Sequence, residues 1–304
     1  MQLSLNAPFI LQAFLSRKYF YKFDIDIHGD EEMKGLKDYE IKFMELMEKI
    51  SSGAKIEISK SGTSVRYYPG ILFNNGGVEF EFDCGIERGI GYFLEPLICL
   101  GFFGKTNLEI TLTGVTNDEI DLSVDYFSQN FLPLLKNFGI ETIPQIKILK
   151  RGFKPLGGGE IHLSVSFVKF LKTISQMNKG KIKRIRGTAY ASKVAIQTLN
   201  RMISSAREIF NDYIPDVWIY SDYYKGNKAG LSSGYGMSLT AESNSGGYIG
   251  VEEIFKIDKG AGDEENLPEM TGKRCALRLL DEIYYVSINF EIIKINKKIF
   301  RVDF

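Results

Sequence analysis

The chain has 304 residues, with 38 basic and 38 acidic side chains and a sequence pI near 6.8. Its length and its apolar share of 44% suffice for one large buried core, or one domain with an insert. The balanced charge excludes a free-standing nucleic-acid binder held by a strong overall field, so any RNA contact is expected to be local or made inside a larger assembly.

Residues 7–17 place Phe9, Ile10, Ala13 and Phe14 at helical spacing, and residues 19–27 alternate as a strand. Residues 37–51 predict an amphipathic helix with Ile41, Met44, Met47 and Ile50 on one face and Gly53 as its C-cap. Residues 55–60 and 63–68 read as a hairpin around Ser61-Gly62. There follow a strand at 78–83, a helix at 87–100, a strand at 107–113, a helix at 123–138 ended by Gly139, and strands at 145–150 and 160–167. That order is β-α-β-α-β-β, and the first unit, α-β-α-β-β, matches it without the leading strand. Two similar units point to an internally repeated α+β fold with helices packed on sheets.

A strand at 181–189 then opens a β-α-β-β block that reads as a small inserted α+β domain. It continues with a helix at 194–210, a strand at 216–221 carrying the only tryptophan, Trp218, a glycine- and serine-rich loop at 226–236, and strands at 237–243 and 247–252. Residues 268–285 contain a helix. Residues 288–295 and 298–302 alternate as a closing hairpin, with Asn296-Lys297 as its turn.

Cys84, Cys99 and Cys275 are widely spaced and odd in number, which suggests buried thiols in a reducing compartment rather than a disulfide framework or a zinc site. The first residues lack a basic region followed by a long apolar run, and no apolar stretch is long enough for a bilayer. A soluble intracellular protein without membrane contact is expected. His28 and His162 are the only histidines: His28 precedes a Gly-Asp turn and His162 alternates within a strand.

One motif is specific. Arg151-Gly152 is followed by Pro155 and by Gly157-Gly158-Gly159, between two predicted strands. Read structurally, it is a tight crossover whose glycines permit close backbone packing. Further segments run in order along the chain: 35–40, 62–63 with 68–70, 88–97, 114–118, 132–136 with 138–140, and 180–190. On these residues the chain resembles the RNA 3′-terminal phosphate cyclase family, and within it the cyclase-like branch that does not cyclise.

The resemblance implies a large domain of three repeated units, each similar to the C-terminal domain of a bacterial translation initiation factor, with a small insert before the third. The corresponding organisation is 1–178 for repeats one and two, 179–250 for the insert, and 251–304 for a third repeat that reads as truncated. Cyclases use ATP and form a covalent adenylate on a late histidine. This chain offers no histidine after His162, and residues 5–12 stand where cyclases carry Glu-Gly-Gly-Gly-Gln, so the glycines that would admit a phosphate are missing. No catalytic residue, cofactor or metal is therefore expected. The branch implies a non-catalytic ribosome-biogenesis factor, a pseudoenzyme of the small-subunit processome in the nucleolus. Its implied partners are a large GTPase and pre-ribosomal proteins, with pre-rRNA and a guide small nucleolar RNA nearby. The alternative is an endonuclease acting on pre-ribosomal RNA, though the late basic-acidic cluster proposed for some relatives has no obvious counterpart here.

Six residues are candidate RNA or anion contacts. Lys181, Lys183, Arg184 and Arg186 form the densest basic run, open to two readings: phosphate contact, or a solvated edge strand guarded by charge. Arg88 and Arg151 stand beside glycines. Arg88 is expected in the first turn of a helix, where a positive charge opposes the helix dipole, so an anion or a carboxylate such as Asp83, Glu87 or Asp118 should face it. Tyr223 and Tyr224 add a possible partner contact in the loop 222–236.

Overall fold

The computed structural model describes residues 23–26, 36–60, 62–68, 70–72, 79–172, 180–255 and 264–299. Two units emerge, Met1–Val124 with Thr142–Leu171 and Asp125–Glu141 with Lys172–Phe304. The expected helix at 7–17, His28 and the segment 5–12 lie outside the described residues.

In the first unit, β1 (Phe23–Asp26) and α1 (Asp38–Lys49) precede the paired strands β2 (Ser51–Ser52), β3 (Lys55–Ile58), β4 (Ser64–Tyr68) and β5 (Ile71–Leu72). Glu40 accepts the Lys37 backbone N–H at 2.8 Å, and Asp38 and Glu40 place negative charge at the start of α1, where the helix dipole rewards it. Strand order is β1-β4-β3, all antiparallel. Gly62 turns the β3–β4 hairpin at φ +68, as its sequence predicts. Gly53 is not the C-cap of α1. Ile50 caps the helix, and Gly53 takes its positive φ of +77 in the turn that follows.

The second block of this unit is a mixed sheet in the order β6-β7-β9-β8, built from β6 (Phe80–Asp83), β7 (Leu108–Gly114), β8 (Gln145–Lys150) and β9 (Gly159–Val165). β6 and β7 are parallel and joined through α2 (Ile90–Gly101), whereas β9 pairs antiparallel with both β7 and β8. The core is the apolar face of α2 (Ile90, Phe93, Leu94, Leu97) with Ile110, Leu112, Ile161 and Leu163 of the sheet, all 0% exposed. Each such side chain contributes about 1.5–3 kcal/mol of transfer free energy on burial.

The second unit carries the four-stranded sheet β11-β10-β12-β13, from β10 (Ile182–Ser192), β11 (Val217–Tyr224), β12 (Gly234–Ser243) and β13 (Tyr248–Ile254). The boundary expected between residues 250 and 251 thus falls within β13. β10 and β11 are parallel, and β12 is antiparallel to β10 and to β13.

The segment 124–138, α3, combines an α turn (Val124–Tyr126), a π turn (Phe127–Phe131), an α turn (Leu132–Leu134) and a 3-10 turn (Leu135–Phe138). Its sequence predicts a plain helix. Pro133 has no N–H to give to the Gln129 carbonyl, so the regular ladder cannot continue through it, and the backbone widens into the π turn. From Asp125 onward α3 belongs to this second unit and lies on one face of its sheet. Gln129 Nε2 donates to Thr188 Oγ1 at 2.6 Å, and Asn137 Nδ2 donates to the Gly246 carbonyl at 2.8 Å.

On the other face lie α4 (Ile196–Phe210) and α5 (Pro268–Ile299), packed through Leu199, Met202, Ala206, Phe210, Cys275, Ala276 and Leu279 onto Ile185, Ala189, Ala191, Met237 and Leu239. Gly272 lets α5 approach α4 closely, because a Cβ there would meet the Met202 carbonyl and, at 2.5 Å, Ser205 Oγ.

The closing hairpin expected at 288–302 is overturned, since α5 continues unbroken to Ile299. After Gly272 the chain has neither glycine nor proline, so nothing stops a ladder in which every backbone group finds its partner locally. No helix among the described residues is long and apolar enough to cross a membrane.

Candidate functional site

Both arginine–glycine sites lie in the first unit, at the loop that follows β7. Gly89 is the N-cap of α2, one residue after Arg88, and the Ile90 N–H donates to the Val115 carbonyl at 2.7 Å. Arg88 Nε donates to Asp121 Oδ2 at 2.8 Å, its Nη2 donates to Asp121 Oδ1, and the Gly89 N–H donates to Asp121 Oδ2 at 2.8 Å. The guanidinium also stands 5.0 Å from the Tyr39 ring centroid and 4.6 Å from that of Tyr92. Hydrogen bonding to Asp121 raises the pKa of Arg88 further above its ordinary value. The carboxylate expected to face Arg88 exists, but it is Asp121 and none of Asp83, Glu87 or Asp118. Asp121 sits at the N-terminus of α2, so its charge favours the dipole that the arginine opposes.

Arg151 is 0% exposed and donates to Asn117 Oδ1 at 3.0 Å. It is enclosed, so it ties two loops together and presents nothing to an RNA. The glycines beside it serve close packing. The Thr116 N–H donates to the Gly152 carbonyl at 2.8 Å, and the Gly152 N–H donates to Thr116 Oγ1 at 3.1 Å. A Cβ on Gly152 would strike Gly159 N and lie 2.7 Å from the Gly157 carbonyl oxygen. Gly157 and Gly158 take φ of +65 and +76, in the left-handed region that favours glycine. Lys154 closes the loop on Asp118 at 3.0 Å, with Asp118 1% exposed. The crossover is filled by its own backbone.

The basic run lies in the second unit, in the first half of β10. β10 lies between β11 and β12, but β11 pairs with it only from Ile185 onward, so Arg186 is in an internal stretch while Lys183 and Arg184 keep one unpaired side, as the edge-strand reading expects. Ile185, Gly187, Ala189 and Ala191 point to the buried side, which sends Arg184, Arg186 and Thr188 to the other face. Arg184 Nε donates to Glu242 Oε2 at 2.6 Å, its register neighbour on β12. Arg186 holds Asp216 with two bonds, 2.8 and 3.0 Å. That pairing raises the Arg186 pKa and lowers the Asp216 pKa, each chiefly through the shared hydrogen bond. Lys181 and Lys183 are exposed, and neither is in an ion pair among the described residues.

Pattern reasoning missed Trp218 and Tyr220. They project from β11 beside Arg186 and Thr188, 53% and 58% exposed. The signal was present, since Val217-Trp218-Ile219-Tyr220 alternates and puts both large rings on one face. Tyr223 and Tyr224, expected in a loop, belong to β11 and are half-buried.

His162 stands mid-strand in β9. Its Nε2 is 3.0 Å from Glu109 Oε2, and its Nδ1 is 3.3 Å from Thr111 Oγ1 and 3.4 Å from Glu79 Oε1. Both ring nitrogens are thus engaged by neighbouring side chains on the sheet surface. Burial raises the pKa of Cys84 and Cys275, and pushes Cys99 up to about 11. Among the described residues no group of three or more His, Cys, Asp or Glu side chains is placed to hold a metal ion.

A model of the RNA 3′-terminal phosphate cyclase family matches residues 22–284. The human RNA 3′-terminal phosphate cyclase-like protein is 46% identical over 259 residues, covering 85% of this chain and 68% of its own length. A probable RNA 3′-terminal phosphate cyclase-like protein of Dictyostelium discoideum is 43% identical over 267 residues, 85% of this chain and 71% of that one. The rRNA processing protein rcl1 of Schizosaccharomyces pombe is 40% identical over 259 residues, 84% of this chain and 69% of that one. The mixed sheets, the glycine crossover and these matches across most of its length agree: the chain belongs to the RNA 3′-terminal phosphate cyclase family, among its cyclase-like members.

Proposed function

We propose that this chain serves rRNA processing as a non-catalytic factor. In this reading it works in the early nucleolar particle of the small ribosomal subunit, docked to a large GTPase with pre-rRNA and a guide small nucleolar RNA close by. The observation that carries the reading is the 40% identity, over 84% of this chain, to a relative named as an rRNA processing protein. The placement of His162 supports it. A nucleophile for adenylate transfer needs a free ring nitrogen aimed into a pocket. The ring of His162 is instead engaged by Glu109, Glu79 and Thr111 within a strand. Near-neutral charge suits a factor held by protein contacts rather than by a long-range field. In the same reading the β6–β9 block is one of the family's repeated units, and β10–β12 with α4 are its insert.

Depletion of the protein, followed by hybridisation to pre-rRNA, tests the role. The expected result is accumulation of unprocessed small-subunit precursor, and unchanged precursor levels would overturn it. Incubation of purified protein with labelled ATP and a 3′-phosphorylated RNA tests the chemistry, with neither labelled protein nor cyclic phosphate expected. Cleavage of pre-rRNA by the purified protein would favour the endonuclease reading instead.

A further inference from the structure

β11 is the edge strand of its sheet, paired along one side with β10. Val217, Ile219 and Tyr223 pack into the core under the helices, so Trp218 and Tyr220 look outward. Their rings meet edge to face with centroids 5.9 Å apart. In the parallel register Arg186 lies beside Trp218 and Thr188 beside Tyr220. Two large rings held side by side in water forgo the burial that usually stabilises them, and such a surface marks a binding site. Lys181 and Lys183 are exposed where β10 begins, and Lys225 and Lys228 are exposed where β11 ends.

We propose that the outward face of β11 binds single-stranded RNA, with Trp218 and Tyr220 stacking on unpaired bases and the lysines at the strand ends contacting phosphates. Every base has a flat π-face, so an aromatic pair on a rigid strand recognises unpaired nucleotides whatever their order. An eight-residue strand spans about 26 Å, room for roughly four nucleotides. Arg184 and Arg186 are neutralised by Glu242 and Asp216, so the phosphate contacts fall to the lysines. The face is polar around its rings, with Arg186 and Thr188 beside them and Asp222 next along the same face of β11, which suits a nucleic acid better than an apolar protein surface. RNA is chosen over other single strands because the site is read within the rRNA-processing role proposed above; the site itself is argued from the strand and its charges.

Trp218 is the only tryptophan of the chain, so its fluorescence reports on this face alone. The test titrates the full chain with a mixed-sequence 12-nucleotide single-stranded RNA, and with a duplex of the same sequence. Saturable quenching by the single strand is expected, with weaker binding of the duplex, whose bases are already stacked. Tyr220→Ala, which keeps the reporter, should weaken Kd about tenfold. Trp218→Ala, followed by anisotropy of labelled RNA, should do the same, and both variants should melt with the parent because the rings are exposed. The plot of log affinity against log salt should have a slope of about −1.4 to −2.8, for two to four phosphate contacts. The proposal is overturned if the fluorescence does not change, if duplex and single strand bind equally, or if both variants bind as the parent does. A protein partner at this face would give the first of these results. Failure here leaves the precursor assay untouched, and unchanged precursor with clear quenching would remove the processing role while keeping the site.

Discussion

The Arg88–Asp121 pair offers the sharpest test of how the loop after β7 is held. Asp121 is 7% exposed and Arg88 23%. Arg88→Met keeps the apolar stem against Tyr39 and Tyr92 but removes the fork, leaving Asp121 with the Gly89 N–H and no cation. Losing one partner of a fully buried pair costs about 3–5 kcal/mol, and the partial exposure of Arg88 lets water offset some of that, so about 2–3 kcal/mol is expected. Asp121→Asn keeps the shape and the Gly89 bond and lets water reach the arginine, so its cost should be about 1–2 kcal/mol. The double variant should cost less than the sum, with a coupling near 1.5 kcal/mol, above the roughly 0.2–1 kcal/mol typical of exposed pairs. In thermal melts of a unit this size Arg88→Met should lower Tm by about 4–12 °C. A coupling below about 0.5 kcal/mol would mean that solvent screens the pair, and that backbone contacts alone order the loop.

Gly152→Ala should destabilise the first unit by about 2–3 kcal/mol in urea unfolding, because its Cβ meets backbone of Gly157 and Gly159 that cannot rotate away. In a thiol-reagent titration at pH 8 the native protein should show slow reaction at Cys99 and none at Cys84 or Cys275, with all three titrating in denaturant. Glu269 is held below the usual carboxylate range by the hydrogen bonds from Arg201. A depressed folded pKa adds stability above the unfolded value of 4.5 that is lost as pH falls below it. Glu269→Gln should therefore lose less stability than the parent between pH 7 and pH 3.5, by under about 1 kcal/mol since the pair is exposed. Lys297→Gly gives the 288–302 segment a strong hairpin turn at a cost to a helix of about 1 kcal/mol, so ellipticity at 222 nm should weaken. A gain in stability would restore the hairpin.

Much of the fold is legible in the sequence wherever period and punctuation agree. The block from β6 to β9 follows its predicted order because Gly139 ends α3 at φ +74 and because β9 alternates throughout between buried and partly exposed residues. The insert-like sheet was legible for the same reason, although β11 runs three residues beyond its expected end. The start of α2 was not. Glu87 and Arg88 favour helices, yet the bonds from Arg88 and Gly89 to Asp121, 33 and 32 residues away, hold that segment as a lead-in. The C-terminal segment fails for the opposite reason. Its apolar residues alternate over a short stretch, but short β-branched alternation, with Asn296-Lys297 as a turn that a helix accommodates equally, cannot decide between a strand and a helix.

The candidate site shows why a charge run is a poor guide to a binding surface. Four cations within six residues, Lys181 to Arg186, look like a phosphate contact in one dimension. Pairing in β10 decides which of them remain available, and it does so through residues dozens of positions away: Glu242 opposite Arg184, and Asp216, just before β11, holding Arg186. The same register that neutralises the arginines brings Trp218 next to Arg186 and leaves both rings of β11 in water. A strand's charge is set by its neighbours, whereas the outward aromatic is set by its own alternation. Of the two signals it was the aromatic one, Trp218 and Tyr220 two residues apart, that could have been read from the sequence without knowing the sheet.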